Sequence, residues 1–347
     1  MISHSKPCVG EAEEVALIKT LRSGFIGYGK QSALFEQTIC KDTGYSDAIA
    51  VSSASLAIYT ILKYKFPNGG GRVALSSYLC RSIWDAIKMA NCIPILYDID
   101  RETFAIDVKK IDRANINVVI VAHMFGIKAH FEEIINSGIE IIEDCAQRIV
   151  PTYIKNEPKA NWRVYSFDPT KLITCGQGGV IVGINKKQTK QIRELLSGRY
   201  DFMNECIKIP FTDLQASIAQ TQWIRKDEFL EKRKRIANRY IERLLDHNLE
   251  TIIYPAMFKK DTWHFRFIIQ VEFPEKIISL MEDRNISCRK PLQPYGLHRL
   301  FSYKGSYPNT EEMTDHTLSL PLYPALNDED IDKVIDNFIM CYIKYAS

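Results

Sequence analysis

Lys171 stands in RVYSFDPTKLITCGQGGVIV (163–182), between two apolar runs and just ahead of Gly176, Gly178 and Gly179. A lysine held in a partly desolvated loop has its ammonium form disfavoured, which frees the amine to form an imine with a carbonyl. Ser166 in the same segment offers a hydroxyl to a phosphate. Each feature also has a plainer reading, since most loop lysines are solvated and GQGG often only turns a hairpin.

Two upstream segments carry complementary chemistry. In IIEDCAQRI, Asp144 closes a strongly apolar run, where a carboxylate is costly unless a cation or a donor meets it. A protonated pyridine nitrogen would suit it, and Gln147 would then reach a phenolic oxygen on the same ring. Alternatively, Asp144 caps the element that follows. In VSSASLAIYTIL (51–62), the small residues Ser53, Ala54 and Ser55 join an apolar run to a helical one. A helix start of that kind presents free backbone N–H groups to an anion such as phosphate, although Ser53 can equally serve as a helix cap alone.

The elements that must position these groups alternate. Apolar runs at 47–52, 72–77, 93–99, 117–123, 139–144, 163–167 and 179–184 read as strands, and 55–66, 82–90 and 131–138 as helices. This order predicts an α/β fold with a mostly parallel central sheet flanked by helices, and ligands at the carboxyl ends of the strands. Asp213 to about His247 reads as one or two helices with a charged, solvated face. Beyond it, WHFRFIIQVEF (263–273) reads as a strand, and a terminal helix is capped by Asn327 or Asp328. The predicted division is a large cofactor-binding domain, 1–225, and a smaller C-terminal α+β domain, 226–347.

Composition narrows the function classes. The 347 residues carry 45 basic and 42 acidic side chains, a balance that gives no reason to expect nucleic acid or an anionic membrane as partner. Nine cysteines are scattered singly, without metal-ligand or disulfide spacing, and read as reduced thiols of a cytoplasmic protein. No run is long and apolar enough for a membrane span, and no signal peptide is expected. The histidines lack ligand spacing, so no metal is expected. His123, at a strand end, either lines the site or is structural.

The combination of motifs resembles the DegT/DnrJ/EryC1/StrS sugar aminotransferases of the fold type I pyridoxal phosphate class. The residues that carry the resemblance are SASLAI (53–58), EDCAQ (143–147) and SFDPTKLITCGQGG (166–179), in the family's order and spacing. GFIGYGKQSALFE (24–36), YDIDRETFAID (97–107), VVIVAHMFG (118–126) and LSLPLYPALNDEDI (318–331) resemble its other landmarks. The resemblance implies pyridoxal 5'-phosphate as cofactor, with Lys171 as the Schiff-base lysine and proton shuttle. Asp144 would pair with the pyridine nitrogen, Gln147 would lie beside the phenolic oxygen, and Ser53, Ala54, Ser55 and Ser166 would hold the phosphate. It also implies a homodimer with shared active sites, an amino donor such as glutamate or glutamine, and a nucleotide-linked keto sugar as acceptor for surface-glycan or related amino-sugar synthesis.

Two segments depart from the family pattern. Cys80 stands where an aromatic residue commonly stacks on the cofactor, with Tyr78 and Trp84 as substitutes to consider. Lys208 stands where an asparagine commonly reaches the other subunit's phosphate. Acceptor specificity would rest on loops 150–162 and 289–307, where Arg289, Lys290, Tyr295, His298 and Arg299 either meet a diphosphate or are plain surface. The rival readings are a pyridoxamine-dependent sugar dehydratase, which Lys171 argues against, and a non-catalytic cofactor-fold protein that binds a nucleotide sugar.

Overall fold

A computed structural model describes residues 1–154, 156–197, 207–292 and 294–346. After α1 (Glu11–Arg22) and α2 (Lys30–Thr43), the apolar runs become β1 (Asp47–Val51), β2 (Arg72–Ser76), β3 (Ile93–Tyr97), β4 (Val118–Ala122), β5 (Glu140–Asp144), β6 (Trp162–Ser166) and β7 (Gly179–Gly183). They form one sheet in the order β1-β7-β6-β5-β4-β2-β3. Only β7 runs against its neighbours, β1 and β6. Every residue of β4 is buried, as a strand covered on both faces requires.

The covering helices follow from local signals. Ser53 caps α3 (Ala54–Lys65), its hydroxyl accepting the Leu56 N–H at 3.2 Å, and Lys63 and Lys65 lie in the last turn, where cations favour the helix dipole. This helix packs against β7, β6 and α4 (Arg81–Met89), while α2 packs on β1. Following β7 come α5 (Lys186–Ser197), α6 (Asp213–Ile224) and α7 (Lys226–Asp246). The long helical segment is therefore two helices, broken at Arg225. Thr212 and Gln215 close a capping box at the start of α6.

The rest of the chain builds a smaller layer around an antiparallel pair, β8 (Phe267–Gln270) and β9 (Thr317–Leu320). Packed with it are α8 (Pro274–Glu282), α9 (Leu297–Leu300), α10 (Pro308–His316) and α11 (Asp328–Ala346). Asn327 caps α11, its Oδ1 accepting the Asp330 N–H at 2.7 Å. One apolar cluster joins Ile58 and Leu75 of the large sheet layer to Phe267, Leu320 and Val334 of the smaller one. Among the described residues, no helix is long and apolar enough to cross a membrane.

Two expectations are corrected. The segment 131–138 makes a single 3-10 turn, Glu132–Ile134. The Ser137 hydroxyl donates to the Ile134 carbonyl, and Gly138, at φ +82°, turns the chain into β5 before a second turn can form. The strand expected over 263–273 shrinks to β8, because His264 adopts φ +20° and the residues beside it pair with a turn outside this sheet.

Candidate active site

Three strand ends make one row. Gly179, the first residue of β7, lies in register with Val51, the last of β1, and with Ser166, the last of β6. In β5, Asp144 lies opposite Ala122 of β4 and Val164 of β6. The carboxyl ends of the parallel strands and the start of β7 therefore share one edge. The three separate motifs of the sequence all open there.

The start of α3 meets this edge closely. A Cβ at Gly179 would stand 2.5 Å from the Ala54 nitrogen and 2.5 Å from the Ser53 carbonyl carbon. Glycine is required because backbone passes against backbone, since the residue lies outside the left-handed region. Ser53 caps the helix, as its plainer reading held. The N–H groups of Ala54 and Ser55 precede the first intrahelical bonds and are left for an external acceptor. Together with the buried Ser166 they form a cradle suited to phosphate.

Lys171 projects from a loop pinned at both ends. Phe167 N–H donates to the Gly178 carbonyl, Cys175 N–H to the Phe167 carbonyl, and Thr174 N–H to Gln222 Oε1. Gly176, at φ +86°, makes the turn. The Lys171 ammonium lies 5.6 Å from the centre of the Phe265 ring and makes no ion pair among the described residues.

Asp144 is buried, and burial raises its carboxyl above the ordinary value; the Ala146 N–H, Lys171 and His123 pull the other way. Among the described residues its only hydrogen bond comes from Ala146 N–H to Oδ1, at 2.9 Å. The other carboxylate oxygen, Oδ2, is thus left for a cationic donor. Gln147 Oε1 accepts the Phe125 N–H at 2.8 Å, which directs the amide so that its Nε2 hydrogens remain free to donate. Phosphate cradle, buried acid, amide donor and lysine match what pyridoxal phosphate needs at its phosphate, ring nitrogen, ring oxygen and carbonyl.

Two candidate histidines lie in the interior. His123 is buried, with Nδ1 accepting the Ala129 N–H at 2.9 Å and Nε2 donating to Glu143 at 2.8 Å. Both nitrogens are committed, and burial lowers its pKa. Arg163 binds both Glu143 oxygens, so His123, Glu143 and the neighbouring Cys145 form a closed buried network with a cation already in place. His298 is likewise buried, bound to Ser77 at 2.6 Å and stacked on Tyr307. Its ring is held in place by these two neighbours.

Tyr295 and Arg289 are exposed, Lys290 pairs with Glu275 and Arg299 with Glu311. Cys80 is an exposed N-cap of α4 beside Ser82. Tyr78 is buried against Phe104 and Phe125, and Trp84 stacks on Phe301 at 4.3 Å, so both are core residues and neither substitutes for an aromatic at position 80. Lys208 is exposed, while residues 204–206 of the same segment lie outside the described residues.

Residues 7–339 match the DegT/DnrJ/EryC1/StrS aminotransferase family. The chain belongs to that family. It is a pyridoxal-phosphate-dependent aminotransferase by that membership. It is 27% identical to the spore coat polysaccharide biosynthesis protein SpsC of Bacillus subtilis, over 96% of this chain and 95% of that one. Its fold is also that of Helicobacter pylori PseC, an aminotransferase involved in the biosynthesis of pseudoaminic acid (TM-score 0.89, 17% identity, 98% and 99% of the two chains). The putative sugar aminotransferase Spr1654 of Streptococcus pneumoniae, in its PMP form, superposes with TM-score 0.86 at 23% identity over 99% and 98%.

The candidate site also borders on residues whose placement the sequence did not reveal. Phe125, at φ +60°, and Gly126, at φ +88°, form a turn that docks on the smaller layer. Trp263 N–H donates to the Gly126 carbonyl and Phe265 N–H to the Phe125 carbonyl, each at 3.0 Å. A Cβ at Gly126 would stand 2.8 Å from the Trp263 carbonyl carbon. This docking places Phe265 against Lys171. The only sequence signal was the MFG of VVIVAHMFG, which nothing local ties to residue 265.

Proposed function

We propose that this aminotransferase moves an amino group from glutamate or glutamine to a nucleotide-linked keto sugar, for surface-glycan or related amino-sugar synthesis. The observation that carries the reading is the single sheet edge that gathers Ser53–Ser55, Ser166, Asp144, Gln147 and Lys171 around Gly179. SpsC and PseC, whose names speak of polysaccharide and pseudoaminic acid biosynthesis, support a sugar acceptor.

Pyridoxal phosphate, when bound, supplies an electron sink that makes the carbon next to the nitrogen acidic. Asp144 would accept a hydrogen bond from the protonated ring nitrogen of the cofactor and so keep that proton in place. Gln147 Nε2 would donate to the ring oxygen. The Ala54 and Ser55 N–H groups and the Ser166 hydroxyl would hold the phosphate. Lys171 would hold the cofactor covalently, and its free amine would serve as the base that holds and moves a proton.

The chain acts as a homodimer in this reading. Val15, Ile18 and Leu21 on α1, with Phe25 and Ile26 after it, are exposed, and Phe25 is 80% exposed; a second subunit covers such a face. A cytoplasmic location fits the free cysteines among the described residues. The test is direct: purified protein is yellow, borohydride fixes the cofactor on a peptide containing Lys171, and one of a panel of nucleotide-linked keto sugars accepts nitrogen from glutamate. Colourless protein that takes up no added cofactor overturns the proposal.

A further inference from the structure

Around Phe265, whose ring the Lys171 ammonium also approaches, lies a group of arginines that meet no acid among the described residues. Arg266 is partly buried, its guanidinium 4.6 Å from the centre of the same Phe265 ring that the Lys171 ammonium faces. Its hydrogen-bond partner is neutral: Nη1 donates to His4 Nδ1 at 3.2 Å. Because arginine can only donate, that His4 nitrogen is the acceptor, and His4 Nε2 carries the hydrogen that goes to Ser319 Oγ at 2.9 Å. Arg289 flanks the same serine, exchanging backbone hydrogen bonds with Ser319 at 2.8 and 3.2 Å. Its side chain is exposed and has no partner among the described residues.

Arg233 stands behind them, fully buried, with Nη1 donating to the Phe265 and Leu322 carbonyls. Its Nε has no partner. It clamps the backbone that carries Phe265. Burial and the neighbouring arginine depress Arg266 to about 10 and Arg233 to about 9, and no carboxylate offsets either of them. Concentrated, partly desolvated positive charge without a counter-ion is a built receptor for an anion.

We propose that Arg266 and Arg289, with His4 fixing the Arg266 guanidinium, form the subsite for the carboxylate of the amino donor. The inference rests on Lys171 being the amine-transferring lysine. An amino acid carries its α-carboxylate on the carbon whose proton Lys171 moves, so that carboxylate must lie near the lysine, and Arg266 approaches the same Phe265 ring as Lys171 does. Guanidinium groups match a carboxylate with two parallel hydrogen bonds. A sugar-linked diphosphate offers similar oxygens, but the sugar ring stands between it and the reacting carbon.

The test uses the cofactor-loaded enzyme. Arg266→Gln and Arg289→Gln each raise the KM for glutamate about 10- to 100-fold, the loss expected for one charged hydrogen-bonding partner. Each also weakens calorimetric binding of glutarate, a dicarboxylate without an amine, by a similar factor, and leaves uridine diphosphate binding unchanged. Arg289 is exposed, so its variant reports even if Arg266→Gln fails to fold. Variants that bind glutarate as the parent does overturn the proposal, as does selective loss of uridine diphosphate binding, which would assign the arginines to the acceptor's diphosphate. Protein that never takes up cofactor defeats the proposed function and this subsite with it. Loaded protein with a borohydride-fixable Lys171 and unaltered glutarate binding in both variants defeats the subsite alone.

Discussion

Gly179 and Ala54 approach so closely that a single methyl group on the glycine would stand 2.5 Å from the Ala54 nitrogen. The contact joins the loop that carries Lys171 to the helix start that faces the phosphate, so packing and chemistry are linked at one atom. Gly179→Ala must push β7 and the start of α3 apart. We expect a loss of about 1–3 kcal/mol in urea unfolding, together with weaker cofactor uptake in an absorbance titration. A variant as stable as the parent, with parental cofactor affinity, contradicts this account.

Among the described residues Lys171 makes no ion pair, so its removal should leave folding intact and remove the chemistry. Lys171→Ala should still bind pyridoxal phosphate through the phosphate cradle, lose borohydride fixation, and transaminate about 100- to 10,000-fold more slowly. Normal turnover by this variant would refute the assignment.

Asp144 carries opposite consequences for stability and function. Its folded pKa is raised by burial, so in cofactor-free protein its contribution is favourable below the unfolded value near 4 and is lost as pH rises through the folded value. Asp144→Asn therefore raises the melting temperature of cofactor-free protein at pH 7. It also weakens the cofactor complex about 10- to 100-fold, because the charged partner of the ring nitrogen is gone. Scanning calorimetry and a cofactor titration read the two signs separately, and a variant that melts lower contradicts the first.

Glu143 shows the reverse linkage. Burial alone would raise its carboxyl, but Arg163 and His123 hold it well below the usual carboxylate range. Its stabilisation is present above the unfolded value near 4.3 and is lost as pH falls through the folded one. Glu143→Ala strands Arg163 in the interior and should cost about 3–5 kcal/mol at pH 7. Urea unfolding repeated at falling pH should show the gap between parent and variant closing in acid; a gap that stays constant would rule out the ion pair as its source.

The sheet and the order of its motifs were legible because their causes are local. VVIVA at 118–122 is a short β-branched run that reads as a strand covered on both faces, and Ser53 caps the helix that follows it. Helix extent was less legible at 131–138, where Ser137 and Gly138 end the turn by hydrogen bonding and dihedral preference that apolar spacing does not report. His123 and His298 illustrate the same limit. Each sits beside a strand end, but which way an imidazole points depends on acceptors and stacking partners far along the chain, Glu143 for one and Ser77 with Tyr307 for the other.

Thus the sequence alone determined the alternating α/β pattern and the identity of Lys171, Asp144, Gln147 and Ser166 as groups able to serve an imine-forming cofactor. Capping, burial preference and side-chain chemistry are properties of short segments. Only the tertiary structure decided that Val51, Gly179 and Ser166 stand in one row, that the Phe125–Gly126 turn seats Phe265 against Lys171, and that Arg266 and Arg289 meet no acidic partner among the described residues. Those relationships join residues far apart in the chain, and they exist only once burial of the apolar faces has set the strand order and brought the smaller layer onto the sheet edge.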